Sequence, residues 1–497
     1  MIQFDLLRMG DSSKISIADD LRVDLELDKI IAVASNGDKL ISETWSNMLL
    51  LRNSSEDVMR YRQEAVRDAL ANRDVINKMY SIARDTIERV KRDVFILLLR
   101  TDDPPAVARE TSRGIRILLD GLEEMLTLLK SSPSFSSTAF REFVSSFTAN
   151  INDQFISSAR GVASIFDTSR ENITFSVKIG SSNYLKDPVL LVPREGGSFL
   201  SRILSLGKEY TYKLDPRDEA GPRIVYDIKK WVLHRSATVL LRSFNDMMKF
   251  FEDLMRQLSF YVGVINMSDF FARIGLPQTY PEVNPGVFAF KDLHCLSLAT
   301  SMSSKPIPST LSINASDSFA ILITGANRGG KTTFLKAIGQ ALLLARAGIF
   351  VPAESFTIPT PGAVYTHFLR GEDRALSYGK FEEEVKRFRG FANFLRRGDF
   401  VLMDESFSST NPIEASVVAE NVVSALVDSG VNVAYVTFLQ DFIYNFTRRY
   451  GERAVLLVPE RLKSGERTFR LVRGSLQPGY AMDLWVKLSS NPSKEQH

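Results

Sequence analysis

The sequence predicts two fold classes in tandem: a mostly α-helical core and lever region with a small β-containing insert, followed by an α/β P-loop domain. Three observations carry this expectation. From about residue 40 to 270, apolar residues recur at spacings of three and four with few internal Gly or Pro, the period of helices that bury one face. Pro277, Pro281, Pro285, Pro306 and Pro308, with a Ser-rich run, then break the pattern. Beyond them, short apolar strands alternate with helices, as in a parallel sheet.

Length and composition bound the function classes. A chain of 497 residues favours about three domains, and 44% hydrophobic with 24% charged residues excludes collagen-like and disordered chains. The single cysteine, Cys295, rules out an intramolecular disulfide or a Cys-cluster zinc site, so a cytoplasmic location is expected. No apolar run approaches the roughly 20 residues that cross a bilayer, and the opening MIQFDLLRMG lacks the pattern of a secretory leader. No membrane partner is expected. With 62 basic against 59 acidic residues, any footprint for nucleic acid must be local.

Taken in order, residues 1–133 read as a helical core and 134–274 as long lever helices. Between Arg223 and Val262 a stripe of Leu240, Phe244, Met247, Phe251, Leu254 and Leu258 advances by four, three, four, three and four. Such a helix, about 60 Å long, works as a strut. Ser134 to Asn172, with Phe140, Phe143, Phe147 and Phe155, reads as its antiparallel companion; a plain helical bundle is the alternative. An insert at about 173–222 interrupts them, since Thr174–Ile179 and Glu209–Leu214 alternate as strands do and Gly196, Gly197, Gly207 and Pro216 punctuate the interval. Its stretch from Ser182 to Arg223 holds seven basic and six acidic residues, a weak charge signal for DNA. Residues 275–316 read as a linker and the start of the last domain, and 317–497 as the P-loop domain.

The chemistry concentrates in that last domain. A buried-strand run, Phe319 to Thr324, leads into Gly325-Ala326-Asn327-Arg328-Gly329-Gly330-Lys331-Thr332 and a helix from Thr333. Phosphate needs close backbone approach and N–H donors at a helix start, which Gly325, Gly329 and Gly330 permit. Lys331 supplies a cation for the β- and γ-phosphates and Thr332 a hydroxyl for Mg²⁺. Downstream, Phe400-Val-Leu-Met-Asp404-Glu405 ends an apolar strand in two carboxylates. Asp404 is expected in the Mg²⁺ shell and Glu405 beside the γ-phosphate, orienting or deprotonating water. Mg²⁺-dependent ATP hydrolysis, with Glu405 and Lys331 catalytic, is the expectation. His234, His294, His367 and His497 are scattered without a zinc spacing and read as structural or exposed.

The run ITGANRGGKTTFLKAIGQALLLARAGIFVPAE, followed by VLMDES, resembles the ATPase domain of the MutS mismatch-repair family. Asn327 fills the family's loop position and Gly348 to Ala353 its Gly-x-x-Val-Pro-Ala segment, while Tyr61-Arg-Gln-Glu-Ala-Val66 resembles a stretch of the family's core domain. The resemblance implies an ABC-type ATPase in which Gly325, Asn327, Gly329, Gly330, Lys331, Thr332 and Thr333 hold ATP. It also implies a dimer, as homodimer or MutS-like heterodimer, whose signature segments complete each other's sites, and a clamp on double-stranded or branched DNA. The sequence departs from the pattern in several places. The core-like motif at residue 61 leaves no room for the family's N-terminal mismatch-reading and connector domains. Phe250-Phe-Glu252 and Phe381-Glu-Glu383 match the mismatch-reading Phe-x-Glu only by letters. In the signature-like segment Phe381 and Glu384 align, but Gly379 takes the place of the family's serine and Ser377 lies two residues earlier; both are kept as trans-signature candidates. Phe438 stands where the family has a histidine. The expected function is a DNA-associated dimeric ATPase clamp or switch without mismatch readout. The alternatives are an ATP-driven switch on a ribosome or protein assembly, and a nucleotide-locked structural dimer.

Overall fold

The computed structural model describes residues 4–9, 18–52, 54–95, 103–132, 134–166, 175–179, 185–190, 220–314, 317–326, 329–370, 379–461 and 467–475. It forms two compact units, one of Met1–Phe4, Asn72–Phe135 and Phe140–Leu258, the other of Asp5–Ala71, Ser136–Ala139 and Ser259–His497. In chain order the first helices are α1 (Ala18–Asp24), α2 (Leu27–Ser35), α3 (Lys39–Leu49), α4 (Glu56–Ala71), α5 (Arg73–Val90), α6 (Pro104–Ser131), α7 (Thr138–Asn150) and α8 (Asp153–Ile165). Strands β1 (Phe175–Ile179) and β2 (Leu185–Leu190) and the long α9 (Ala220–Ile274) follow.

In the first unit, sequence signals account for the helix starts. Asp103 accepts the Ala106 N–H ahead of Pro104, which opens α6. The expected single helix over Ser134–Asn172 is instead the pair α7 and α8, because Asn152 is extended and its side chain accepts the Phe155 N–H at 2.8 Å, capping a new helix. Residues 167–172 lie outside the described residues. The expected stripes are buried at Phe140, Phe143 and Phe147 on α7 and at Leu240, Phe244, Phe251, Leu254 and Leu258 on α9, but Met247 is only half-buried and Phe155 on α8 is 41% exposed. Ring centroids of Phe4 and Phe143 lie 5.2 Å apart, and those of Phe147 and Phe250 5.9 Å. In the insert, β1 pairs antiparallel with β2 from Phe175↔Leu190 to Ile179↔Leu185. β2 carries Pro188, which strands tolerate at an edge, and both strands of a two-stranded sheet are edges. The expected strand Glu209–Leu214 lies outside the described residues.

The second unit carries the sheets. After α9 come β3 (Glu282–Val283), β4 (Val287–Leu293), α10 (Leu296–Met302), β5 (Ser309–Asn314), β6 (Ala320–Ile323), α11 (Lys331–Arg346), β7 (Ser355–Ile358) and β8 (Val364–Phe368). The chain continues through α12 (Lys380–Ala392), β9 (Phe400–Asp404), α13 (Pro412–Asp428), β10 (Asn432–Val436), α14 (Gln440–Tyr450), β11 (Ala454–Arg461) and β12 (Arg467–Arg473). A six-stranded sheet has the order β12-β11-β6-β10-β9-β8, parallel except for β12, and a four-stranded sheet the order β3-β7-β4-β5. Strands β6, β8 and β10 are buried along their whole length, which explains the unbroken apolar run of β6. Phe288 on β4 joins the sheets, its ring 5.4 Å from Phe319 and 5.5 Å from Phe400.

Asp5–Ala71 groups with the C-terminal half rather than with the rest of the expected 1–133 core. Buried hydrogen bonds show why. Arg62, 1% exposed, donates to Leu7 O at 2.6 Å and to Arg346 O at 3.3 Å. Arg346 donates in turn to Leu51 O at 2.8 Å, and Gln63 donates to Pro281 O at 2.8 Å. Among the described residues no helix is long and apolar enough to cross a membrane.

Candidate functional site

Strand order brings the two chemistry-bearing segments to one edge of the sheet. β10 lies between β6 and β9, with Val436 opposite both Ile323 and Asp404. The glycine-rich loop after β6, the carboxylates ending β9, and Thr437-Phe438 after β10 therefore emerge side by side. The carboxyl ends of parallel strands are where open α/β sheets bind ligands.

Gly325 and Gly330 take φ of 112° and 86°, and the loop is tight: a Cβ at either Gly325 or Gly329 would come 2.7 Å from the Pro459 side chain. Only glycine fits beneath the β11–β12 hairpin. Lys331 opens α11 with its ammonium folded onto the loop, donating to Gly325 O at 2.8 Å and Ala326 O at 3.0 Å. The Phe438 ring lies over the same nitrogen, 4.7 Å to its centroid. Burial lowers the Lys331 pKa, against the opposing pull of Glu405 and Asp404. Burial raises the Asp404 pKa to about 6, against the opposing effect of the Thr332 side chain beside it. Thr333 is half-buried in the first turn of α11. Asn327 and Ser377 lie outside the described residues, and Gly379 is the N-cap of α12. The structure thus brings together Gly325, Gly329, Gly330, Lys331, Thr332, Asp404 and Glu405.

Behind the carboxylates, Glu384 of the signature-like segment joins His367, Ser406 and Tyr435 in a buried polar cluster that the motifs do not connect. His367 on β8 is 1% exposed, with Nε2 3.0 Å from Glu384 O and Nδ1 2.8 Å from Ser406 Oγ. A carbonyl oxygen only accepts, so Nε2 carries the proton, and the single Ser406 hydroxyl proton is shared between Nδ1 and the His367 carbonyl oxygen, which is also within hydrogen-bond reach. Glu384 on α12 accepts from the Phe407 N–H and the Ser409 hydroxyl, and the Tyr435 hydroxyl donates to Ser406 O. The available signal was Glu384 on the same helical stripe as Phe381, Phe388 and Phe391, since a carboxylate on an apolar face needs buried partners.

Burial, with Arg387 nearby, depresses the His367 pKa to about 4. Its folded-state value lies below the ordinary 6.5, so the unfolded chain takes up a proton that the folded one refuses between these values. Stability is then lost as pH falls through this window, by about 2–3 kcal/mol near pH 4. Urea unfolding at pH 7 and pH 5 should show a steeper loss for wild type than for His367→Asn; equal losses would reject the assignment.

Comparison with known proteins defines first a class, a mixed α/β protein whose C-terminal half matches the family described as MutS domain V over residues 321–452. Residues 54–274 match the MutS2 N-terminal domain, and with both matches the chain belongs to the MutS family. Similar proteins include the Endonuclease MutS2 of Carboxydothermus hydrogenoformans, 32% identical over 40% of this chain and 25% of the relative. That of Thermus thermophilus is 34% identical over 24% of this chain and 16% of its own. The DNA mismatch repair protein msh-3 of Neurospora crassa is 29% identical over 29% of this chain and 13% of its own length. The chain therefore spans a quarter or less of these relatives.

Proposed function

We propose that this chain is a MutS-like, ATP-hydrolysing and DNA-associated protein that acts as a dimeric clamp or switch without mismatch readout. The observation that carries the reading is the convergence of Lys331, the Thr332–Asp404 pair and Glu405 at one edge of the sheet. In this reading the backbone of Gly325, Asn327, Gly329, Gly330 and Thr333 cradles the phosphates. The Lys331 ammonium exchanges two carbonyl partners for phosphate oxygens. A hydroxyl beside a carboxylate offers hard oxygen donors of the kind Mg²⁺ takes, so Thr332 and Asp404 fit the metal, which would neutralise phosphate charge when bound. Glu405 accepts the proton of the attacking water. The names of the relatives support DNA association, and the β1–β2 hairpin ahead of the long α9 is the candidate grip.

A second reading, a nucleotide-locked dimer with little turnover, is favoured by Phe438. Its ring competes with phosphate for Lys331 and, unlike a histidine, offers no hydrogen bond.

ATP turnover with and without linear or branched duplex DNA tests the proposal, together with light scattering on Glu405→Gln. DNA is expected to raise turnover and ATP to convert monomer to dimer. A monomer at every ATP and protein concentration would reject the dimer, copurification with ribosomal particles and no response to DNA would favour the assembly switch, and dimers with negligible turnover would favour the locked state.

A further inference from the structure

We infer that Glu384 is the residue that positions Glu405, clasping α12 to the turn that follows β9. The inference rests on the proposed role of Glu405. That turn has an unfavourable backbone: Glu405 and Phe407 are both left-handed, with φ of 51° and 62°, a region that side-chain-bearing residues avoid unless the surroundings impose it. What imposes it is visible. Glu405 N donates to Val436 O at 2.8 Å, tying the residue to the end of β10. From the other side Glu384, 3% exposed, takes the Phe407 N–H on one carboxylate oxygen and the Ser409 hydroxyl on the other. These two hydrogen bonds hold the turn from the α12 side. His367 adds a second tie, since Nε2 donates to Glu384 O while the Ser406 hydroxyl lies against both Nδ1, at 2.8 Å, and the His367 carbonyl oxygen.

Glu384 touches no reacting atom in this arrangement; it acts through the backbone of residues 406–409. Because Glu384 lies in α12 (Lys380–Ala392), displacement of that helix would reach the Glu405 backbone through the clasp.

The experiment uses the full chain and separates binding from hydrolysis. Glu384→Ala should retain Mg·ATP affinity while single-turnover hydrolysis falls about ten- to a hundredfold, the cost of a catalytic group displaced by about 1 Å. Glu384→Gln should recover most of the rate. Its amide oxygen accepts the Phe407 N–H, and the Ser409 hydroxyl can rotate to accept from the amide nitrogen. Glu384→Gln combined with Ser409→Ala removes that compensation and should behave like Glu384→Ala, which keeps the test readable should the alanine variant fail to fold. In a Glu405→Gln background the added Glu384→Ala should change hydrolysis no further. Wild-type hydrolysis in both Glu384→Ala and the Gln–Ala double variant, or parallel loss of affinity and rate, would overturn the inference. Wild-type hydrolysis in Glu405→Gln alone would instead overturn the assignment of Glu405.

Discussion

Replacing Glu405 with Gln is expected to leave Mg·ATP binding intact and to reduce hydrolysis by about a hundredfold or more, the range that a positioned general base contributes. The substitution keeps the side chain's shape and removes the only property the proposal uses, its capacity to take a proton. Replacing Lys331 with Ala should act earlier. The Lys331 ammonium is held by two loop carbonyls and the Phe438 ring, and without it the described residues of the loop offer no buried cation to offset phosphate charge. Nucleotide binding itself should then be lost. Fluorescent-nucleotide titration and phosphate release, with contaminating ATPases excluded, separate the two variants. Unchanged turnover in Glu405→Gln would sink the assigned role, as would normal affinity in Lys331→Ala.

Gly348→Ala should have the largest effect on stability. Gly348 has φ of +77°, and a Cβ there would sit 2.3 Å from the Arg62 Cβ and 3.2 Å from both Gln63 N and Met59 O. Neither side can yield cheaply. Arg62 is pinned by carbonyls on both sides of the contact, and burial has already lowered its pKa to about 10, so moving it would leave a buried charge short of partners. The left-handed backbone adds about 1 kcal/mol and overpacking about 1–3 kcal/mol, for an expected loss of about 2–4 kcal/mol. Urea unfolding measures this directly; a change within about 0.5 kcal/mol, typical of surface positions, would show that α4 can move away.

Both sites divide in the same way between what is local and what is not. The glycine-rich loop, its flanking buried strand and helix, and the apolar run ending in Asp404 and Glu405 were legible because each is a short contiguous pattern whose chemistry needs particular residue types at fixed spacing. The stripe on α9 was legible for a similar reason, since helical period alone sorts Leu240 to Leu258 onto one face. Even locally the reading failed where a single side chain overrode the period, as Asn152 does when it caps α8 and ends the expected long helix. Tyr61–Val66 and Gly348–Ala353 could each be recognised, but nothing in either says that Arg62 reaches the Arg346 carbonyl, 284 residues away, or that Gly348 is glycine because Arg62 lies against it. Likewise Phe438 could be read as a missing hydrogen-bonding group, but its place over Lys331 follows from β10 lying between β6 and β9, and Glu384 became a clasp only when α12 packed behind the β9 turn. Periodicity and motif spacing encode which faces are buried and which chemistry is present. Strand order and long-range partners are set by how those faces close on one another, and that is decided only in the folded chain.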